Sequence, residues 1–440
     1  MTDTIMALAS GSGRAAVSVL RLSGPGCGAV LDRLCGRPAP RRASLRALRE
    51  AGEVLDRALV LWMPGPGSYT GEDCAELQLH GGVAVVAAVT GALARLGVRP
   101  AEAGEFTRRA VLAGRMGVLE AEGVADLVAS EDEAQRRQAL RQMEGGLGRR
   151  LAGWAERLRV VLAQQEALID FPDEDLPPEV EAVLLAEVAA LAGEMRRGLA
   201  DAAAGERVRD GLVVAVAGAP DVGKSSLVNA LAEREVAIVA SGAGTTRDVL
   251  EVALDVGGVR VALLDTAGLR ETADPVEAEG VRRARARAAA ADLVILVRDA
   301  ASAGTEPGTE AGGEAGPHGA GAPRVLVVLN KAELGGGGGA AGAGLRVSAR
   351  TGLGMAALRA RLGEEVARLV ATGGVPLTRA RHRAALGEAV AALERAEAVA
   401  WPELRGEELR LALRAVGRIT GEVDVDALLD TVFSRFCIGK

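Results

Sequence analysis

The sequence predicts a multidomain chain: an N-terminal α+β domain, then an α-helical domain with a doubly wound α/β domain inserted into it. Three observations carry this. The 440 residues exceed what one compact core organises. Residues 210–368 alternate β-branched runs with helical stretches, the pattern of a parallel sheet covered on both faces. Helical periodicity flanks that stretch, at 118–209 and again at 369–440. Insertion at a loop of a helical bundle is tolerated because domain termini usually lie close together.

Residues 1–117 mix short β-like runs (Val17–Leu22, Leu59–Met63, Ala75–Leu79) with a helical stretch at Val83–Leu96, punctuated by Pro64-Gly65-Pro66-Gly67 and Gly81-Gly82. From about Leu119 the pattern turns helical. Leu151, Trp154, Leu158, Val161, Leu162, Leu168 and Ile169 share one stripe. Asp170-Phe171-Pro172 ends it, and a second helix from about Glu179 completes an expected antiparallel pair. In the inserted domain the expected strands are Leu212–Ala217, Val259–Leu264, Leu293–Val297, Val325–Leu329 and Leu345–Val347. Residues 301–323 and 335–344 are Gly/Ala-rich and read as surface loops without chemistry.

Composition excludes several classes. With 49% hydrophobic and 25% charged residues the chain reads as soluble and globular. Aromatics are 2%, so Leu, Val and Ala must build the cores. A net charge of -7 argues against coating nucleic acid by charge alone, although an arginine run such as Arg282, Arg283, Arg285 and Arg287 can contact RNA locally. Cys27, Cys35, Cys74 and Cys437 lack metal-ligand spacing. No secretory leader and no apolar run of membrane-spanning length is read, so a cytoplasmic protein without membrane contact is expected. Of 52 basic residues only Lys224, Lys331 and Lys440 are lysines. A compact ammonium on a flexible stem is a specific choice in so arginine-rich a chain.

Two of those lysines stand in nucleotide-site motifs. Gly218-Ala-Pro-Asp221-Val222-Gly223-Lys224-Ser225-Ser226 follows an expected strand and opens an expected helix. In that context the backbone N–H groups face phosphates, Lys224 reaches the β- and γ-oxygens, and Ser225 ligates Mg²⁺. Gly244-Thr245-Thr246-Arg247-Asp248 offers Thr246 to complete the Mg²⁺ shell. Asp265-Thr266-Ala267-Gly268 places the aspartate near Mg²⁺ and the glycine N–H at the γ-phosphate. Asn330-Lys331-Ala332-Glu333, with Ser348-Ala349-Arg350 after the next strand, reads the base. The set describes an inserted α/β P-loop GTPase domain. Two details depart from expectation: Glu333 stands where an aspartate normally reads guanine, and Leu269 stands where Ras-like switches place a water-orienting glutamine.

The whole chain resembles the tRNA-modification GTPase family known as MnmE or TrmE. The match rests on Leu20–Gly24, Pro64–Pro66, Ser68–Asp73, Glu76–Gln78, His80–Gly82, Gly104–Thr107, Ile169–Pro172, Gly244–Asp248 and the terminal Cys437-Ile438-Gly439-Lys440. The resemblance implies domains at 1–117 (α+β, folate-binding-like and dimerising), 118–209 and 369–440 (helical), and 210–368 (G domain). It implies a homodimer that joins a flavin-dependent partner of the MnmG (GidA) type in a heterotetramer. Together they would add an aminomethyl or carboxymethylaminomethyl group at C5 of wobble uridine in certain tRNAs. By position it places 5-formyl-tetrahydrofolate or a related one-carbon folate on Arg21, Glu76, Arg115 and Lys440. It places K⁺ on Asp221, Ala240, Gly242 and Thr245, a further GTP contact on Ser241, the water-orienting role on Glu277 and a catalytic role on Cys437. Asp221 replaces the family's asparagine and Arg115 its usual lysine. Cys437 can equally be a small hydrophobe packing beside Phe433 and Phe436. The competing reading is a ribosome-assembly GTPase that binds RNA without modifying it; such families generally add a second G domain or a KH module, and the sequence has neither motif.

Overall fold

The computed structural model describes residues 3–11, 13–170, 178–232, 251–266, 282, 286–301, 323–334, 344–423, 429, 432, 433, 436 and 439. In chain order the elements are β1 (Ile5–Leu8), β2 (Val17–Ser23), α1 (Cys27–Leu34), β3 (Ser44–Glu50), β4 (Glu53–Met63), β5 (Cys74–His80), α2 (Val83–Arg95), β6 (Arg99–Pro100), α3 (Glu105–Leu112), α4 (Val118–Ala129), α5 (Glu133–Met143), α6 (Gly146–Asp170) and α7 (Pro178–Asp210). They continue as β7 (Leu212–Ala217), α8 (Lys224–Ala232), β8 (Glu251–Asp255), β9 (Arg260–Asp265), β10 (Leu293–Asp299), β11 (Arg324–Asn330), β12 (Leu345–Arg346), α9 (Met355–Val370), α10 (Ala380–Ala398) and α11 (Pro402–Thr420). Two compact units result: residues 1–125, 142–192 and 388–440 form one, and 126–141 with 193–387 form the other. No helix among the described residues is long and apolar enough to cross a membrane.

The first unit holds a six-stranded sheet in the order β3-β4-β5-β2-β1-β6. Its pairs are antiparallel except β1 with β6. Alternation along the strands sends Leu20, Leu22, Val60, Trp62, Leu77 and Leu79 into a core with Val30, Leu31, Leu34, Val89 and Leu93 of α1 and α2. The opposite face carries Arg21, Glu76, Leu59 and Leu45. Leu45 and Leu59 are directly opposed across β3 and β4, and are 67% and 41% exposed, an apolar pair left open on the sheet. β1, β3, α1 and α3 were not among the expected elements. Ser-Leu-Arg-Ala-Leu-Arg-Glu of β3 has helical composition, and its edge pairing with β4 overrides that preference.

The helical part of this unit packs α6 most extensively against α11. Leu151, Trp154, Leu158 and Val161 of the expected stripe are buried, whereas Leu162, Leu168 and Ile169 are only half-buried. Arg405, 3% exposed, ties the bundle by reaching Glu181 Oε1 at 2.7 Å and the Val399 carbonyl at 3.2 Å. The end of the chain returns to the N-terminal sheet. Phe433 and Phe436, ring centroids 5.0 Å apart, pack with Val118, Ala121, Leu429 and Val432, and a Cβ at Gly104 would meet both phenylalanines at 2.9 Å. Gly439 lies against the Leu8 carbonyl at the end of β1.

The second unit holds the other six-stranded sheet, β12-β11-β10-β7-β9-β8. Five strands are parallel as expected. β8 is not: it pairs antiparallel with β9, an edge hairpin turning at Gly257-Gly258. The signal was two apolar runs joined by a double glycine. Asp132, 8% exposed, joins this hairpin to α5. Its Oδ1 accepts the Gln135 N–H at 2.7 Å as a helix N-cap, and its Oδ2 accepts the Arg260 N–H at 2.6 Å, while Ala134 N donates to the Gly258 carbonyl at 2.9 Å.

Replacing Asp132 by alanine therefore removes two acceptors at once. Asp132→Ala is expected to destabilise this unit by about 1–2 kcal/mol, and Asp132→Asn, which keeps one acceptor oxygen and sets an NH2 against the other N–H, by about 1 kcal/mol. Hydrogen exchange at the Arg260 amide and the thermal midpoint measure it; unchanged Arg260 protection in the alanine variant contradicts the assignment.

Candidate nucleotide site and a second pocket

The turn from β7 to α8 is shaped by what surrounds it. Gly218 has φ +150°, and a Cβ there would strike the Val297 carbonyl of β10. Gly223 has φ +89°, and a Cβ there would strike the Asn330 side chain. Asp221 holds a positive φ of 61° at the tip, a conformation short polar side chains tolerate. Lys224 is 7% exposed, and its Nζ donates to the Gly218 and Ala219 carbonyls at 3.0 and 2.7 Å. The ammonium is thus held against the carbonyls of the loop. Val222 is buried in the core beneath, while Ser225 and Ser226 are exposed on the first turn of α8.

Ser225 Oγ donates to Asp265 Oδ2 at 2.5 Å, which brings two motifs 40 residues apart into contact. Thr266 spends its hydroxyl on the Val216 carbonyl at 2.8 Å, fixing the end of β9 to β7. Among the described residues no group of three or more His, Cys, Asp or Glu side chains could hold a metal ion. The hydroxyl and carboxylate of Ser225 and Asp265 are nevertheless the hard oxygen donors that suit Mg²⁺, which keeps most of its shell as water and phosphate oxygens.

Asn330 is 3% exposed and joins three loops. Its Nδ2 donates to the Val222 carbonyl at 2.9 Å, and its Oδ1 accepts the Ala349 N–H at 3.1 Å. Lys331, at a positive φ of 63°, pairs its Nζ with Asp299 Oδ2 at 2.9 Å. That contact holds the Asp299 carboxyl below the usual carboxylate range. The sequence reading missed Asp299, and only the parallel register of β10 and β11, which sets it opposite Asn330, reveals it. Glu333 sits on a short 3₁₀ turn with Oε1 3.3 Å from Arg350 Nε; its Oε2 is buried with no hydrogen-bond partner among the described residues. The Ser348 side chain first, then its own backbone N–H and Arg350, hold its carboxyl below the usual range. A carboxylate held in its ionised form beside the Asn330 turn has the acceptor chemistry that N–H groups of a base require.

A second site lies on the open face of the first unit's sheet. Arg21 of β2 and Glu76 of β5 are opposed in register, and Arg21 Nε and Nη2 both donate to Glu76 Oε1, at 3.0 and 2.8 Å. They line a cavity of about 250 Å³ with Met63, Tyr69, Cys74 and Val124. The stem of Arg115 lies against Gly71, in the loop that carries Tyr69. Arg21, Glu76 and Arg115 are thus gathered around the 68–73 loop. Ala240, Ser241, Gly242, Gly244, Thr245, Thr246, Ala267, Gly268, Glu277, Cys437 and Lys440 lie outside the described residues.

Comparison with known proteins matches both ends of this description. Residues 4–115 match the family model described as the GTP-binding protein TrmE N-terminus, and 118–437 the MnmE helical domain. A protein of Gluconacetobacter diazotrophicus called tRNA modification GTPase MnmE is 56% identical over 99% of this chain and 98% of its own length. This chain belongs to the MnmE family. A relative of the same description from Granulibacter bethesdensis is 53% identical over the full chain and 99% of its own length. Among solved structures, the G domain of the T. maritima FeoB iron transporter covers 36% of this chain and 99% of that one at 22% identity, with a TM-score of 0.22, too loose a match to add to the argument.

The position of Glu333 generates a prediction. Glu333→Ala is expected to weaken GTP binding about 10–100-fold and leave ATP binding unchanged, since roughly 1–3 kcal/mol of charge-assisted hydrogen bonding to guanine disappears. Glu333→Asp is expected to tighten GTP binding, again without effect on ATP. Because the carboxyl is held below its ordinary value, it stays ionised as pH falls, and GTP affinity is expected to be flat from about pH 8 to about pH 5. Titration with a fluorescent GTP analogue tests both points; a fall in affinity starting near pH 6 would sink the second.

Proposed function

We propose that this chain hydrolyses GTP and uses the cycle to drive modification of tRNA. The observation that carries the reading is the Ser225–Asp265 contact at the mouth of a loop that already holds Lys224 inward. In hydrolysis a water oxygen attacks the γ-phosphorus, the bond to the β,γ-bridging oxygen breaks, and GDP and inorganic phosphate leave. Lys224 exchanges its two loop carbonyls for β- and γ-oxygens and neutralises charge that grows on the leaving side. Ser225 and Thr246 would hold Mg²⁺, with Asp265 beside them, and the ion would supply positive charge against the phosphate oxygens. Ser226, Asp221, Val222, Gly223 and Gly244 contribute backbone or hydroxyl donors around the phosphates, while Asn330, Lys331, Glu333 and the 348–350 turn take the base. Leu269 cannot orient water, and the family resemblance gives that role to Glu277. Asp221 with Ala240, Gly242 and Thr245 would take K⁺, which would supply the positive charge that an arginine finger supplies elsewhere.

The tRNA chemistry belongs to the other unit. We assign the Arg21–Glu76 cavity to 5-formyl-tetrahydrofolate or a related one-carbon folate, with Arg115 and Lys440 toward the acidic tail of that ligand and Cys437 beside the reacting carbon. Gly439 against Leu8, whose cross-strand partner Leu20 precedes Arg21, supports a tail that reaches this pocket within one chain. The open Leu45–Leu59 pair supports a homodimer through the N-terminal sheet. A flavin-dependent partner of the MnmG type would supply the redox step in the heterotetramer, giving an aminomethyl or carboxymethylaminomethyl group at C5 of wobble uridine.

Two experiments test the two halves. GTP hydrolysis is expected to be faster in KCl than in matched NaCl, and Glu277→Ala to lower kcat with little change in nucleotide affinity; equal rates in the two salts remove K⁺ from the mechanism. Deleting Cys437–Lys440 is expected to abolish wobble-uridine modification in cells and folate binding by calorimetry, with K⁺-stimulated hydrolysis close to normal. A truncated protein that still binds folate and modifies tRNA makes the tail merely structural.

A further inference from the structure

A cleft of the second unit shares no residue with the nucleotide site. It encloses about 170 Å³ between α5, the last turns of α7 and residues 370–376 at the end of α9 and beyond it. Ala134, Arg137, Gln138 and Arg141 line it from α5, at the i, i+3, i+4 and i+7 spacing that puts side chains on one helix face. Val208, Val370, Val375 and Pro376 supply apolar walls, with Thr372 among them.

The walls are fixed before any ligand arrives. Gln138 Nε2 donates to the Gly205 carbonyl at 2.9 Å and Gln135 Nε2 to the Arg209 carbonyl at 3.1 Å, which ties α5 to α7. Gly205 lets the chain at 376–377 lie against α7, since a Cβ there would strike the Leu377 carbonyl. The Gly373 N–H donates to Asp201 Oδ2 at 3.3 Å, and Thr372 Oγ1 to the Gly374 carbonyl at 3.1 Å. A preformed cleft spares its ligand the cost of ordering it.

The rim is cationic. Arg136 and Arg137 share the one carboxylate of α5, Glu133, and Arg137 engages it through Nε. Arg141 is exposed and forms no ion pair among the described residues. Three guanidiniums against one carboxylate give α5 a local positive excess in a chain whose net charge is -7. A guanidinium fork takes phosphate oxygens in pairs, and its flat face stacks on bases. Inside, Gln138 Oε1 and Thr372 Oγ1 can accept from base N–H groups. The volume is well under the roughly 300–1,000 Å³ that encloses a whole drug-sized ligand, so it suits one flat ring whose charged remainder stays outside. A free nucleotide would bind there by a fraction of its surface, whereas a strand brings flanking phosphates to the arginines. We propose that this cleft is an RNA-binding site that receives one unstacked base of a single-stranded segment, with the adjoining phosphates on Arg137 and Arg141. The inference rests on the tRNA reading above and adds an RNA contact on the unit that carries the nucleotide site.

Fluorescence anisotropy of the full-length protein with a labelled tRNA transcript bearing uridine at the wobble position tests it. Arg141→Ala is expected to weaken binding about 3–10-fold and to flatten the slope of log affinity against log salt by about 0.7, the share of one single-strand phosphate contact. Thr372→Phe fills the cleft and keeps both arginines; it is expected to weaken binding about 10-fold with the slope unchanged. Arg136→Ala removes a charge of the same helix that does not line the cleft, and is expected to bind within about twofold of the parent. All three variants should keep the parental rate of GTP hydrolysis and thermal midpoint. Millimolar uridine monophosphate is expected not to displace the transcript. Equal losses in Arg136→Ala and Arg141→Ala reduce the effect to diffuse charge and overturn the proposal, as does parental affinity in Thr372→Phe or displacement by the free nucleotide. A parent protein that binds no tRNA refutes the tRNA reading itself, whereas parental binding that neither cleft variant weakens refutes this inference alone.

Discussion

The nucleotide site depends on one carboxamide. Asn330 donates to the carbonyl of Val222 in the phosphate loop and accepts from the N–H of Ala349 in the loop after β12. Both functions are needed, since aspartate would lose the donor and leucine would lose both. At 3% exposure either loss leaves a buried backbone group unpaired, at a cost of about 1–3 kcal/mol. The same side chain is what a Cβ at Gly223 would strike. The glycine of the phosphate loop and the asparagine of the base-reading turn are therefore one packing decision, made between residues more than a hundred positions apart.

The N-terminal pocket rests on a different device, a buried charge network. Arg109 is held by Asp3, Glu72 and Glu105, and Glu105 is shared with Arg99. Burial alone would raise the Glu105 carboxyl, but hydrogen bonds from Arg99, the Glu102 N–H and Arg109 outweigh it and hold the group below its usual range. Desolvation falls on the buried members Arg109 and Glu105, so the worth of the cluster lies more in specifying geometry than in net stability. What it specifies is the path of residues 68–73 across the open face of the sheet, and hence where Tyr69 and Cys74 stand relative to Arg21 and Glu76.

Much of this was legible in the residues. The alternation of strands and helices located β7, β9, β10, β11 and β12 within a residue or two, because buried parallel strands need continuous β-branched runs. The phosphate and base motifs were legible because their chemistry tolerates few substitutes, and the scarcity of lysine and asparagine made them stand out. The edge strand β8, the strand β3 and the partner Asp299 were not legible, since each owes its place to a neighbour distant in sequence.

The sequence by itself determined the domain classes, the family and the residue types offered to the nucleotide, because local periodicity and motif spacing are properties of contiguous residues. Only the tertiary structure decided which of those side chains meet. It set Ser225 on Asp265, Arg21 on Glu76 and Gly439 beside Leu8, and it put Tyr69 against Thr107. These are contacts across tens to hundreds of residues, governed by strand register and by which buried polar groups find partners, and no local pattern encodes them.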